Sequence, residues 1–569
     1  MVEYFAELFK AENGEMDEVI SCINSRAQPE DNIQLVRPLS IEEVRVASAF
    51  VAGHLITDNI MLAYEAYHFF KRKTRGKVGV AALKVDMSKA YDRVEWGFLR
   101  AVLMAVGSYC TRKGATADDP LSPYLFLLVA EGLSSLIDQR MRMGFLHGIS
   151  VARNAPPISH LLFVDDYFLF LRANSMESQQ MRTILDVYSA ALGQRINFDK
   201  SMVCFSTNVS QNDRHDVVNT LGISEGDTTG KYLGLPSLVS RKKKVILGYL
   251  KDNILSRVRS WNSRFMSRAG REVLLKNVLQ AMLCYAMMVF LLPVGLCADI
   301  ESILNKYWWT GTVGNGTGLR WKSWSRLCVP KEKGGLGFRR IREMNLALLG
   351  KHVWHLLSRP ESLVARVYKS RYYPNSSLFE ANIGNNPSFI WRGIMEAKNV
   401  IQFGFRRCVG DGRNTVIGID HWLTGAEDPH VSTELHESIR SAHVNSLLNE
   451  ECSGWDIECV NDIFNERDAD IILNIPLSMR KPHDVWVWNG EPKAAGINKT
   501  SFYGLSLCCC LMDVHGTAFS KCARNDMVWK GIPFASSNVT DMSLSFLNNW
   551  RSAQETGGEI MDDRHESCS

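Results

Sequence analysis

The chain has 569 residues, 46% of them hydrophobic, and a formal net charge of +4, with 65 Lys and Arg against 61 Asp and Glu. That length allows three or four domains with substantial cores, and the near balance of charge excludes an affinity for nucleic acid that rests on net charge alone. No apolar run reaches the ~20 residues of a membrane span, and fourteen scattered cysteines with no secretory signal at Met1-Val2-Glu3-Tyr4 point to reduced thiols inside a cell.

The first 47 residues read as acidic and mostly helical. Ile60 to Lys73 follows as an amphipathic helix, capped by Asp58 or Asn59 and closing on Lys71-Arg72-Lys73, whose charge suits the C-terminal end of a helix dipole. Val80 to Asp86 reads as a buried strand ending in a carboxylate, and Met87 to Val94 continues as a helix. Ser122 to Arg142 and Ser178 to Leu192 carry apolar residues at helical spacing. Between them, His160 to Leu171 is a pair of strand-like apolar runs around Asp165-Asp166. Two adjacent carboxylates in that setting are costly unless they sit at a hairpin turn and a cation neutralises them, and a divalent metal is the natural candidate. With Asp86 they make a strand-end carboxylate plus a hairpin-tip pair, the hard oxygen ligands that a two-metal phosphoryl-transfer site draws from separate rigid elements. The plain rival for Asp86 is a helix cap. Together these elements predict an α+β, ferredoxin-like core, with a mainly helical chain beyond about residue 230.

Residues 231 to 280 hold twelve Lys or Arg against two acids, Asp252 and Glu272. Arg241, Lys242, Lys243, Lys244, Arg257 and Arg259 are the candidates for neutralising phosphates along a duplex in a salt-dependent way; a solvated helical face is the competing reading. Ala281 to Leu292 is the most apolar run and reads as a core helix closed by Pro293. From about residue 300, Trp308, Trp309, Trp321, Trp324, Trp354, Trp391 and Trp422 alternate with cations. Stacking on bases is one reading, and burial in a core is the favoured one. Beyond about 426, Cys508-Cys509-Cys510, His515 and Cys522 are metal-capable types that lack the paired spacing of a zinc module.

Five segments occur in order: Ser48-Ala49-Phe50-Val51-Ala52-Gly53-His54-Leu55-Ile56-Thr57-Asp58-Asn59, Leu83-Lys84-Val85-Asp86-Met87-Ser88-Lys89-Ala90-Tyr91-Asp92-Arg93-Val94-Glu95-Trp96, Asp119-Pro120-Leu121-Ser122-Pro123-Tyr124-Leu125-Phe126, Phe163-Val164-Asp165-Asp166 and Lys231-Tyr232-Leu233-Gly234-Leu235-Pro236. Together they resemble the reverse transcriptase of plant LINE-type (non-LTR) retrotransposons, over roughly residues 48 to 425. The resemblance implies a right-hand polymerase: a linker remnant at 1–47, a palm with its fingers deleted at 48–206, a thumb-like helical region at 207–300, a Trp-rich connector at 301–425 and a degenerate C-terminal region at 426–569. It implies RNA-directed DNA polymerisation, with an RNA template, a DNA primer and deoxynucleoside triphosphates as partners and no membrane. Two Mg²⁺ ions would sit on Asp86 and Asp165, with Asp166 the adjacent, less direct carboxylate. Tyr91 would stand under the sugar and select against a 2′-hydroxyl, and Tyr232 and Gly234 would grip the primer end. Lys200 would donate a proton to pyrophosphate, although an ordinary solvated lysine is the favoured reading there. Nucleus and cytoplasm both suit such a product.

Departures from that family are concentrated around the nucleotide. Glu42-Glu43-Val44-Arg45 and Ser48-Ala49-Phe50, which flank the family's fingers, are separated only by Val46-Ala47, so the basic residues expected to hold a triphosphate are missing. The family's Arg-Gln-Gly-Asp appears as Thr116-Ala117-Asp118-Asp119, and Val164 replaces an alanine. Metal ligands without a triphosphate clamp leave reactants misplaced, and an error of about 1 Å costs on the order of a hundredfold in rate. The expectation is a degenerate enzyme, weak or inactive. A noncatalytic nucleic-acid-binding relic and a pseudogene product are the alternatives. With neither an endonuclease ahead of the polymerase nor an evident ribonuclease H module after it, autonomous retrotransposition is not expected.

Overall fold

Val80–Ser88 (β1) is the central strand of a five-stranded antiparallel sheet. The computed structural model describes residues 17–22, 56–88, 98, 101–102, 122–163, 166–192, 195–226, 231–236, 243–260, 266–312, 319–424, 429–449, 454–477 and 481–488. All of these belong to one unit of the chain. In chain order come α1 (Asp17–Cys22), α2 (Ile56–Arg72), β1, α3 (Ser122–Arg142), β2 (His160–Phe163), β3 (Asp166–Arg172), α4 (Ser175–Leu192), β4 (Arg195–Ile196) and β5 (Met202–Phe205). β3 lies along one edge of β1 with β2 beyond it, while β5 and the two-residue β4 take the other edge. The spatial order is therefore β2–β3–β1–β5, each neighbouring pair antiparallel, and the architecture is α+β.

Strand alternation decides which residues each face buries. Ala81, Leu83, Val85 and Met87 of β1 and Tyr167, Leu169 and Leu171 of β3 join Leu133, Leu136 and Ile137 of α3 and Ile184, Leu185 and Tyr188 of α4 in one core. Each large side chain buried this way contributes about 1.5–3 kcal/mol. The opposite face carries Phe168 and Phe170, whose rings meet Tyr67 and Phe70 of α2 edge-on at 5.7 and 6.4 Å. The sheet is thus covered on both sides, which is why the first half of β1, Val80 to Leu83, is apolar on both faces.

Three element ends differ from expectation. α2 begins at Ile56, so Asp58 and Asn59 lie inside its first turn and do not cap it. Tertiary partners claim them instead: Asp58 meets His355 Nδ1 at 3.2 Å, and the Asn59 amide donates to the Leu162 carbonyl at 3.0 Å. Met87 and Ser88 extend β1 by pairing with Ile196 and Arg195, so no helix opens at Met87. α4 starts at Ser175 because the Asn174 side chain accepts from the Glu177 N–H at 2.8 Å, a cap placed ahead of the expected Ser178.

Helices dominate the remainder, as expected. After α5 (Gln211–Leu221) the hairpin β6 (Lys231–Tyr232) and β7 (Leu235–Pro236) leads into α6 (Lys243–Ile246), α7 (Tyr249–Ser260) and α8 (Arg268–Leu274). A π-helical turn, Leu275–Leu279, joins α8 to α9 (Ala281–Val289). Arg268–Val289 is long and apolar enough to cross a membrane by length and composition. Its first half nevertheless carries Glu272, on which Lys276 and Lys331 both close at 2.8 Å, and α9 buries Leu283, Ala286, Met287 and Val289 against protein. α10 (Val294–Thr310) runs straight through the composition shift near residue 300. Next come α11 (Trp324–Leu327), α12 (Ile341–Ser358), α13 (Leu363–Tyr372) and α14 (Phe389–Ile401), and β8 (Phe405–Cys408) pairs antiparallel with β9 (Val485–Trp488).

The tryptophans mostly fill cores. Trp308, Trp324, Trp391 and Trp422 are buried, with Trp324 stacked on Phe338 at 5.1 Å and Trp391 on Tyr372 at 4.4 Å. Trp309 and Trp354 are half-buried, and Trp321 is 75% exposed. Gly335 has a steric reason for its identity, since a Cβ there would lie 1.8 Å from the Val329 carbonyl oxygen.

Candidate active site

The register of β1 and β3 sets Asp86 directly opposite Asp166, and Phe163 at the end of β2 pairs with Asp166 from the other side. Val164 and Asp165, the two residues joining β2 to β3, lie outside the described residues, as does Tyr91. Like charges facing each other across a strand pair repel, and two lysines answer them. Lys84, on the same face of β1 as Asp86, brings Nζ to 3.1 Å from Asp166 Oδ1, and Lys200 reaches Asp86 Oδ2 at 3.9 Å. Asp86 and Asp166 side chains are 24% and 25% exposed, while Lys200 is 70% exposed. Lys84 lies in the second resembling segment, where the resemblance gives it no role; its position two residues before Asp86 means, on a strand, the same face.

Backbone contacts fix the strand end. The Asp86 N–H donates to Ser201 Oγ at 3.2 Å, the Asp86 carbonyl accepts from the Asn197 N–H at 2.9 Å, and the Ser201 hydroxyl donates to the Asn197 carbonyl at 2.7 Å. The turn that carries Lys200 is therefore fastened to the strand end that carries Asp86.

Tyr232 is fully buried, with its ring edge-on to Phe168 at 4.5 Å. Burial, and after it the charge of Asp166, pushes its hydroxyl well above the usual tyrosine range. Leu233 and Gly234 form the tight turn of the hairpin at φ +47° and +76°. Both are left-handed, the geometry that suits a two-residue hairpin. Gly234 adopts it freely, whereas Leu233 is held there by the Tyr285 hydroxyl, which donates to its carbonyl at 2.7 Å.

The basic stretch after the hairpin is only partly available to a ligand. Arg241 and Lys242 lie outside the described residues. Lys243 sits 4.4 Å from the centre of the Phe389 ring, and Lys244 pairs with Asp299 at 3.0 Å, with Lys251 on the same carboxylate at 3.8 Å. Arg257 and Arg259 on α7 are exposed. The packing of α7 against α10 adds Asp299, an acid outside the 231–280 stretch, to Asp252 and Glu272 within it.

Among the described residues no three His, Cys, Asp or Glu side chains gather closely enough to hold a metal ion. Asp86 and Asp166 supply two carboxylates, oxygen donors of the kind Mg²⁺ takes, and the third expected donor, Asp165, lies outside the described residues. The cysteines and His515 of the tail lie outside them as well.

No family model matches the chain. It is 30% identical over 195 residues to an Arabidopsis thaliana protein named "Putative ribonuclease H protein At1g65750", covering 34% of this chain and 31% of that one. It is 23% identical over 324 residues to the "Transposon TX1 uncharacterized 149 kDa protein" of Xenopus laevis, covering 51% of this chain and 23% of that protein. The chain thus spans less than a third of either of these longer relatives, and it is related to a transposon protein. To the "Uncharacterized mitochondrial protein AtMg00310" of Arabidopsis thaliana it is 37% identical over 140 residues, which are 24% of this chain and 90% of that protein. Identity at that level across nearly the whole of the smaller protein means that the chain belongs to the family of AtMg00310.

Proposed function

We propose that the chain is a retroelement-derived reverse transcriptase, an RNA-directed DNA polymerase by ancestry, with weak or no present activity. The observation that carries this reading is the register that faces Asp86 with Asp166 at one end of the central strand pair. A β–α–β–β–α–β sheet with carboxylates at that end is the polymerase palm implied by the motif resemblance, and the transposon relative supports the same origin. Asp86, Asp165 and Asp166 would hold two Mg²⁺ ions, which when bound activate a 3′-hydroxyl and neutralise the triphosphate. Ser201 and Asn197 hold the backbone at Asp86, and the Tyr232 ring packs against Phe168 of the neighbouring strand. Lys84 and Lys200 hold the carboxylates' charge, so an incoming cation competes with two ammonium groups. That competition, added to the missing triphosphate clamp, favours low activity.

Primer extension on an RNA template with Mg²⁺ and deoxynucleotides tests the proposal, with Asp165→Ala, Asp166→Ala as control. Weak extension abolished by the double substitution is the result expected of a surviving site. Extension that persists in the double variant would overturn the assignment of the acidic pair. Salt-dependent primer-template binding without extension, by folded protein, would leave the noncatalytic binding relic as the function.

A further inference from the structure

The Lys71-Arg72-Lys73 run, which dipole stabilisation alone explains as a helix ending, continues as Thr74-Arg75-Gly76-Lys77, giving five cations in seven residues with no acid. This turn is built and not merely tethered at its ends. The Asn208 amide donates to the carbonyls of Gly76 and Val78 at 2.9 and 3.1 Å, and the Thr207 hydroxyl donates to the Phe70 carbonyl at 3.1 Å. Beside it opens a cavity of 350 Å³ whose polar lining is Arg72, Lys73, Arg371, Asn385 and Asn386, with no carboxylate.

The cations of this cavity differ in how they are held. Arg371, on α13, is fixed from behind by Glu65 at 3.1 Å and by His68 Nδ1 at 2.6 Å, and its side chain is only 11% exposed. Among the described residues no ion pair engages Arg72 or Lys73. Burial, then the charges of Arg371, Arg72, Arg392 and Lys71, depress the His68 imidazole to about 4. The aromatic residues of the lining have other neighbours: Tyr372 stacks on Trp391 at 4.4 Å, and Lys73 Nζ lies 5.1 Å from the centre of the Phe69 ring. Fixed cations and amides without a free aromatic platform suit phosphate and give little purchase on a base.

We propose that this cavity and the adjoining Lys71 to Lys77 turn form a phosphodiester-binding site for a nucleic-acid strand, distinct from the acidic pair. A row of cations spaced along a turn matches a repeating backbone charge better than a single small anion. The site is indifferent to base sequence, because its free groups are donors to phosphate oxygens. It does not depend on catalysis, and it gives a protein without a triphosphate clamp a way to hold a strand.

The test is fluorescence anisotropy with a labelled oligothymidylate of roughly twenty residues over a range of salt. Arg72→Gln with Lys73→Gln is expected to weaken binding and to lower the slope of log affinity against log salt by about 1.4, at ~0.7 per single-strand phosphate contact. Asn385→Asp, which removes no cation and places a carboxylate in the cavity, is expected to weaken binding at low salt. Unlabelled mixed-sequence strand should compete as well as oligothymidylate. Unchanged affinity and slope in both variants would overturn the proposal, as would displacement by millimolar inorganic phosphate alone, which would make this a small-anion site. The outcome is separable from polymerase activity: loss of binding in the cavity variants with an inactive acidic site supports this inference and sinks catalysis, whereas extension with unaltered binding does the reverse.

Discussion

Replacing Glu65 by Ala is expected to be among the most destabilising single changes in the chain. Glu65 has no exposed surface, yet it joins α2 to α13 and α14: its carboxylate meets Arg371 Nη1 at 3.1 Å, accepts from the Tyr372 hydroxyl at 2.9 Å and accepts from the Ser388 hydroxyl. Burial raises its pKa even against Arg371, Ser388 and Tyr372, so desolvation is the largest influence on the carboxylate. A pair in that condition contributes little net stability, but removing one partner leaves the other charge buried and uncompensated, at a cost of about 3–5 kcal/mol. That is a large share of the 5–15 kcal/mol typical of a whole domain. Removing both charges, with Glu65→Leu and Arg371→Met, should cost clearly less than the sum of the two single changes. Urea unfolding followed by tryptophan fluorescence gives the midpoints, and the buried Trp391, stacked on Tyr372, lies next to the network. A Glu65→Ala loss below about 1 kcal/mol, or a double variant as damaged as the sum of the singles, would refute the account of a desolvated pair.

Two further outcomes are expected. His68, held near pH 4, keeps Nδ1 unprotonated to accept from Arg371. Its folded value lies below the ordinary 6.5, so stability is full above pH 6.5 and falls as pH drops from there towards 4, where the unfolded chain takes up a proton that the fold refuses. Wild type should therefore lose more stability between pH 7 and 5 than His68→Asn, and an NMR titration placing the imidazole near 6.5 would contradict this. Gly335→Ala should lower the thermal midpoint by several degrees, through a clash with the Val329 carbonyl that backbone movement must relieve; an unchanged midpoint would mean that the turn has room to shift.

What a motif can convey and what it cannot are separated clearly around the acidic pair. Asp86 and Asp166 were legible because carboxylates amid apolar strand residues violate ordinary burial preferences. The hairpin Tyr232 to Leu235 was not legible: the segment stood out only by resemblance, and the pairing of Tyr232 with Leu235 comes from the structure. Lys84 was not, since a lysine in a strand usually marks nothing, and its contact with Asp166 depends on which strand lies alongside. Asp58 and Asn59 were misread as caps for a related reason: polar residues at the start of a helix suit local capping, and only the approach of His355 and of the Leu162 carbonyl redirects them. The neutralisation of Lys244 and Lys251 was not legible because their acid, Asp299, lies outside the basic stretch.

By itself the sequence determined the quantities that depend on near neighbours. Periodicity set the span of α3 at Ser122–Arg142, continuous apolar runs set the strands around the acidic pair, and residue type set most tryptophans inside cores. The tertiary structure decided everything that depends on juxtaposition of distant segments. It set Asp86 against Asp166, put Lys84 and Lys200 on their carboxylates, bound Glu65 to Arg371, and gathered Arg72, Lys73 and Arg371 around one cavity. The physical reason is range: backbone periodicity is imposed by local sterics and hydrogen bonds, whereas the environment of a charge is set by whichever groups packing brings within a few ångströms, however far apart they lie along the chain.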